Sequence, residues 1–222
     1  MYSRRDFGKM ALAGIPAAVA MGAPGDGTVN GVRIGAATFS FRDQMRTPGR
    51  DNIDDVIQAL KFAGVTEIEL ASANTEPAGP NSGPAVPPPQ SAYPPPIKAP
   101  TPEEVAAAQR IVRNNLRRWR LSTPAQQHEA IRTKFQAAGI GLFAYRVDYD
   151  DAFTDEEIEV TFQQAKALGV GMIASLTSLR GAGRLVPCAE KYGMTVALHN
   201  SASTKDPNAI STAESFGAAL KM

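Results

Sequence analysis

The chain has a single cysteine, Cys188, and two histidines, His128 and His199, among 222 residues. One cysteine excludes an internal disulfide framework and a zinc ribbon, and two histidines leave no room for a His-rich metal cluster. Charge of one sign is also missing. With 23 Lys and Arg against 22 Asp and Glu, the net charge is +1. The basic footprint that nucleic-acid affinity requires is therefore absent, and so is any electrostatic case for an acidic membrane surface. No apolar run reaches the roughly 18–20 residues of a membrane span. What remains is 43% hydrophobic and 20% charged, with 19 Gly and 17 Pro, the composition of a folded chain long enough to bury a core.

The amino terminus reads as an address. Ser3-Arg4-Arg5-Asp6-Phe7-Gly8-Lys9 precedes an Ala-rich apolar stretch from Met10 to Ala20, ending in Ala18-Val19-Ala20. A basic start, a short greasy segment and an A-x-A site make an export signal. The paired arginines and Phe7 resemble a twin-arginine signal, with Gly8 in place of the usual Leu. Residues 1–20 are thus expected to be a signal for the Tat machinery, and the mature chain to work in a bacterial periplasm.

Beyond it, strand-like and helix-like segments alternate. Val32–Phe39, Val65–Ala71, Ile140–Asp148, Val170–Thr177 and Met194–Asn200 are short and mostly apolar, as buried parallel strands require. Amphipathic stripes lie between them, at Ile53, Val56, Ile57 and Leu60, at Ile131, Phe135 and Ala138, and at Ile158, Phe162, Ala165 and Leu168. Four times a helical pattern closes on glycine just before a strand, at Gly64, Gly139, Gly169 and Gly193. Glycine there supplies the left-handed residue that ends a helix. The repeat predicts parallel α/β architecture. The first strand is followed by neither GxGxxG nor GxxxxGK[ST], which speaks against a doubly wound nucleotide fold.

The rhythm breaks between Pro77 and Pro102, where eleven of the prolines lie; residues 77–102 read as an extended insert. A helix is expected from Thr101 or Pro102 to about Arg120. Its Arg110, Arg113, Arg117 and Arg120 share a face, read as solvated, with a phosphate or partner patch as the alternative. A last helix is expected from Ala209 to about Leu220. Five strand–helix units stand where a closed (β/α)8 barrel has eight, and a barrel typically takes about 250 residues. The chain therefore reads as a carboxy-terminally incomplete barrel, residues 21–222, whose open edges suit pairing with a second copy.

Strand parity then picks out chemistry. Ile68 and Leu70 share one face, so Glu67 and Glu69 take the other; Val196 and Leu198 leave Thr195, Ala197 and His199 inside. Glu69 and His199 thus lie near strand carboxyl ends, where barrel active sites form. A carboxylate inside a barrel is retained when a substrate, metal or ion partner meets it. Asn200, Arg146 and Ser175 are the neighbouring candidates for substrate contacts, with Asp148 and Thr177 beside them. His128, in an amphipathic helix, reads as a hydrogen-bonded structural histidine, and Cys188 as buried and inert. No Ser-His-Asp triad or GxSxG elbow is present.

The opening strand Ile34-Gly35-Ala36-Ala37-Thr38-Phe39-Ser40-Phe41, Ile68-Glu69-Leu70-Ala71, Ala174-Ser175-Leu176-Thr177 and Val196-Ala197-Leu198-His199-Asn200 carry a family resemblance. So do Asp206-Pro207-Asn208 and Glu214-Ser215-Phe216. Together they resemble the secreted branch of the sugar phosphate isomerase/epimerases, within the xylose isomerase-like barrels. The resemblance implies a (β/α)8 fold acting on a sugar or sugar phosphate. It implies proton transfer next to a carbonyl through an enediolate stabilised by a divalent ion such as Mn, Mg, Zn or Co. Glu69 and His199 are then both the catalytic and the metal-binding positions. The sequence departs from the family where the fourth strand ends Ser175-Leu176-Thr177-Ser178, at the place of a glutamate ligand. The strands that carry the remaining ligands are absent, which leaves the metal site incomplete. The alternatives are a non-catalytic periplasmic carbohydrate-binding protein on the same scaffold and an inactive fragment.

Overall fold

The computed structural model describes residues 28–30, 32–41, 44, 49–77, 101–203 and 205–222. The expected export signal and nearly all of the Pro-rich insert lie outside the described residues.

A short hairpin, β1 (Thr28–Val29) with β2 (Val32–Arg33), leads into a five-stranded parallel sheet. Its strands are β3 (Gly35–Ala37), β4 (Glu67–Ala71), β5 (Gly141–Arg146), β6 (Met172–Ser175) and β7 (Thr195–Leu198), paired in that order. Between and after them run α1 (Ile53–Ala63), α2 (Pro102–Ser122), α3 (Ala125–Ala137), α4 (Asp155–Leu168), α5 (Leu179–Tyr192) and α6 (Ala213–Ala219). Strand order equals chain order. A doubly wound sheet reverses direction at a switch point, and this one never does, so the architecture is barrel-type.

The expected first strand is the one that departs most from its sequence pattern. Val32–Phe39 divides into β2, β3 and a 3₁₀ turn at Thr38–Phe41, because Thr38 is drawn into side-chain bonding at the end of β3. The helix-closing glycines behave as the sequence requires. Gly64, Gly139, Gly169 and Gly193 have φ of 68°, 72°, 78° and 61°, a region that costs a residue with a Cβ about 1 kcal/mol or more.

The core lies between one face of the sheet and the helices. Ile68, Leu70, Tyr145 and Ile173 from the strands meet Ile53, Val56, Leu60, Ile131, Phe135, Ile158, Phe162 and Leu185 from the helices. The helix α2 begins at Pro102 with a full capping box, Thr101 and Glu104 exchanging bonds. The first half of α2 is exposed and its second half is anchored by charge.

That anchor corrects the reading of the arginine face. Arg113, Arg117 and Arg120 are not a free solvated face: all three converge on Glu157 of α4, at 2.7, 3.0 and 3.3 Å, with Arg120 buried and the other two half-buried. Arg120 also bonds Glu76 at 2.7 Å. Glu157 is fully buried. Burial alone would raise its pKa, but the bonds from Arg113, the Thr154 backbone and Arg117 outweigh that and hold it at about 2. The face looked solvated because its partner carboxylates lie 37 and 44 positions away. Arg110 alone of the four stays exposed.

The last helix also starts later than its pattern implies, at Ala213. Residues before it are held by tertiary bonds: Asn208 O accepts from Leu179 N, Asn208 Oδ1 from Arg180 N, and Ile210 O from Ser201 N.

Candidate functional site

On the face of the sheet away from the helices, each acid of β4 is flanked by small residues. In the register, Glu67 lies between Gly35 and Gly141, and Glu69 between Ala37 and Ala144. The space beside Glu67 is tight: a Cβ on Gly141 would lie 3.2 Å from Glu67 Oε1, and one on Gly35 3.0 Å from the Glu67 carbonyl. A bulge after Ile68 inserts Phe143 opposite β4 and restores Ala144 to the face of Glu69. The result is a cavity of about 380 Å³ lined by Gly35, Ala36, Ala37, Glu67, Glu69 and Phe143.

Glu69 is 9% exposed, and its Oε1 has no hydrogen-bond partner. Its Oε2 lies 3.5 Å from Nε2 of His199, the residue after β7. That contact measures the shape of the sheet. Strands β4 and β7 are three apart, roughly 14 Å in a flat sheet at about 4.8 Å per strand. A Glu and a His side chain span less than that, so the sheet must curl toward its own axis to bring them together. The curvature that defines a barrel is what assembles this pair.

Arg146, at the end of β5, is held by two partners. Its guanidinium donates to both carboxylate oxygens of Asp148, at 3.2 and 3.0 Å, and stacks over the Phe39 ring at 4.8 Å. Asp148 Oδ1 in turn accepts from Leu176 N after β6. The charge of Arg146 is thus matched within the protein, leaving its fork suited to hydroxyl groups more than to phosphate.

The other expected contacts are placed differently. Ser175 is fully buried and shares strand parity with the core residue Ile173; its Oγ has no hydrogen-bond partner, and its link to the site is through the backbone, where its carbonyl accepts from His199 N at 2.8 Å. Asn200 is exposed beside His199. Thr177 is buried against Gly181 in the first turn of α5, its Oγ1 unpartnered.

Three residues at the same sheet end were not singled out by sequence. Thr38 Oγ1 donates to Asn74 Oδ1 at 2.7 Å and accepts from Ala71 N at 2.8 Å, while Asn74 Nδ2 donates to Asn52 Oδ1 at 3.0 Å. All three are buried. They tie the 3₁₀ turn after β3 and the short helical turn Ser72–Thr75 after β4 to the start of α1, which fixes the end of the strand that carries Glu69. The only sequence signal was Asn52 before Ile53, which looks like a helix cap; in the structure it makes no side-chain cap.

Two readings outside the site are corrected here. His128 is fully buried but is not hydrogen-bonded: neither ring nitrogen has a partner, and the ring sits between Trp119 and Tyr145. Burial lowers its pKa to about 4. Cys188 is only half-buried, and its thiol donates to Glu159 of α4 at 3.4 Å. Burial and that carboxylate push the thiol up to about 11, so it is indeed a weak nucleophile.

Among the described residues, no group of three or more His, Cys, Asp and Glu converges. Glu69 and His199 supply two donors, where a catalytic divalent site such as zinc takes about three from the protein. The set present does not by itself fit a metal. Among the described residues, no helix is long and apolar enough to cross a membrane.

No protein-family model matches the chain, and no curated protein sequence matches it. Solved structures similar to it include an uncharacterized protein from Parabacteroides distasonis ATCC 8503, at 17% identity and a TM-score of 0.45, over 75% of this chain and 52% of that one. Another is the probable 3-DHS dehydratase AsbF of Bacillus anthracis, involved in petrobactin synthesis, at 13% identity and a TM-score of 0.45, over 84% of this chain and 58% of that one. The chain spans a little over half the length of each.

Proposed function

We propose that the cavity at Glu69 carries out proton transfer at a carbon next to a carbonyl of a small polyhydroxylated substrate, the chemistry of a sugar isomerase or epimerase. One observation carries the reading: a buried carboxylate with one oxygen unpartnered, beside an imidazole, over a cavity lined by small residues. Such an oxygen is costly to keep unless a ligand meets it.

In this reading Glu69 Oε1 removes the proton from the carbon. The C–H electron pair moves into the carbon–carbon bond, and the carbonyl pair moves onto oxygen, giving an enediol(ate). His199, within reach of the same space, donates to that oxygen. Glu69 then returns the proton to the neighbouring carbon, while His199 takes the hydroxyl proton from the first carbon as its new carbonyl forms, so that His199 gives one proton and recovers one. Arg146, with its charge matched by Asp148, orients hydroxyl groups at the mouth.

The test is exchange of substrate C–H for solvent deuterium, followed by NMR over a panel of aldoses and ketoses. Glu69→Gln should reduce exchange by about 10²–10⁴-fold, the usual contribution of a positioned base. Exchange at the wild-type rate in Glu69→Gln would end the proposal. The second reading, a carbohydrate-binding protein without turnover, rests on the two-donor set; saturable sugar binding with no exchange in the wild type would favour it.

A further inference from the structure

The helix α2 carries an apolar stripe that the described fold covers at one end. Val105, Ala108, Val112, Leu116 and Trp119 recur at spacings of three and four and so line one side of it. That side lies about 120° around the helix from Arg113, Arg117 and Arg120, which turn to Glu157. At the carboxyl end the stripe is packed: Trp119 meets the His128 ring of α3 at 6.2 Å, and Leu116 is half-buried. Toward the amino end it lies open. Val105 is 39% and Val112 41% exposed, with Ala108 exposed between them and Ile111 on the flank at 62%. These residues are neighbours on one helix, so they form a patch where scattered single apolar residues would need no explanation.

The course of the chain before α2 names the occupant. Residues 78–100, outside the described residues, join Pro77 to Thr101. Pro77 lines the same cavity as Trp119, so the chain departs beside the carboxyl end of α2. It arrives at Thr101, the amino-terminal cap of that helix. At about 1.5 Å per residue the two points are about 27 Å apart. The segment therefore crosses the length of α2 in the opposite direction, whatever path its middle takes.

Its sequence suits the stripe it has to pass. Tyr93-Pro94-Pro95-Pro96-Ile97 leads toward the cap, and such a run favours polyproline II, at about 3.1 Å per residue. Counted back from Pro100 beside Thr101, Tyr93 falls about 22 Å along, level with Leu116, which lies about 22 Å along α2. The three prolines and Ile97 then fall level with the exposed Ala108, Ile111 and Val112. Prolines bring no backbone N–H to an apolar surface, so covering the stripe with them orphans no donor. The cap supplies the direction of approach. Pro100 and Val105 flank the capping box of Thr101 and Glu104 at the two positions of a hydrophobic staple, which aims the incoming chain at the side of Val105.

We propose that the stripe of α2 is the docking surface for this chain's own residues 93–100, laid antiparallel along the helix as polyproline II. The surface shares no residue with the Glu69 cavity.

The test uses the full chain carrying Cys188→Ser, so that only introduced thiols react, and follows disulfide formation in a glutathione buffer. Ala92→Cys is paired with Leu116→Cys on the stripe, or with Asn114→Cys, at nearly the same level but on the far, exposed side of α2. Each rate is divided by the reactivity of the helix thiol alone. Docking should close the Leu116 pair at least about tenfold faster than the Asn114 pair, because it concentrates Ala92→Cys on one side of the helix. Val112→Asp, at an exposed position where the core is not disturbed, should slow the Leu116 pair about tenfold, toward the rate of the Asn114 pair. Equal rates for the two pairs would overturn the proposal, and so would a Leu116 pair indifferent to Val112→Asp. Disulfides that join two chains, seen as a dimer on a non-reducing gel, would assign the stripe to a second copy and overturn it as well.

Discussion

His128→Phe is the substitution whose effect the structure fixes most closely. The imidazole is fully buried between two aromatic rings with both nitrogens unpartnered, and burial holds its pKa at about 4 against an ordinary 6.5. Between those values the unfolded chain binds a proton that the folded chain refuses. Stability therefore falls as pH drops from about 6.5 to about 4, and this contribution levels off below. A gap of about 2.5 pH units corresponds to a loss of about 3 kcal/mol across the window. Phe fills the slot without polar atoms and without a titration. At pH 7 it should be neutral to stabilising by about 1–2 kcal/mol, the relief of orphaned polar atoms less a small overpacking cost. Urea unfolding of both proteins at several pH values checks this. The stability gap in favour of the variant should widen by about 3 kcal/mol between pH 7 and pH 4. A gap that stays constant with pH would refute the reasoning, because it would mean His128 protonates as readily folded as unfolded.

Other outcomes follow from the same geometry. Glu157→Gln leaves Arg113, Arg117 and Arg120 facing a neutral amide and should cost about 3–5 kcal/mol in urea unfolding. In the wild type, the low pKa of Glu157 contributes stability that is complete above about 4.5 and is lost as pH falls toward about 2; acid unfolding of a His128→Phe background isolates that lower window. Cys188, its thiol pushed up to about 11, should react with a disulfide reagent at pH 8 about tenfold more slowly than an unhindered cysteine, a roughly hundredfold loss of thiolate partly offset by the greater nucleophilicity of the more basic thiolate. Glu159→Gln should speed that reaction by removing the carboxylate that holds the proton. A Cβ at Gly181 would run into Thr177 Oγ1, so Gly181→Ala should destabilise by about 1–3 kcal/mol. Adding Thr177→Ala should recover most of that loss, and failure to recover it would place the clash elsewhere.

The local rules in the sequence carried most of the fold. Four helix–glycine–strand junctions were legible because a left-handed residue at a helix end is a one-position requirement that glycine meets alone. Which strand face carried Glu67 and Glu69 was equally legible, since alternation on a strand needs no knowledge of its neighbours. The sequential strand order and curvature were expected only by way of the barrel reading, not from any local rule. They depend on which strands pair, and the meeting of Glu69 with His199, 130 positions apart, exists only because the sheet curls.

Charge was where sequence and structure parted. Arg113, Arg117 and Arg120 share a helix face by spacing, but spacing does not say whether water or a carboxylate lies opposite. Packing of α2 on α4 decided that, by seating Glu157 where no water reaches it. The same holds for Asn52, a capping residue by its position and a buried link to Asn74 in fact. His128 is the sharpest case: nothing local marks a histidine that has no hydrogen bond, because orphaning is a property of the slot that Trp119 and Tyr145 form around it. Elements whose identity rests on the chain's own geometry were written in the sequence, and those that rest on what lies across a gap were settled only by tertiary packing.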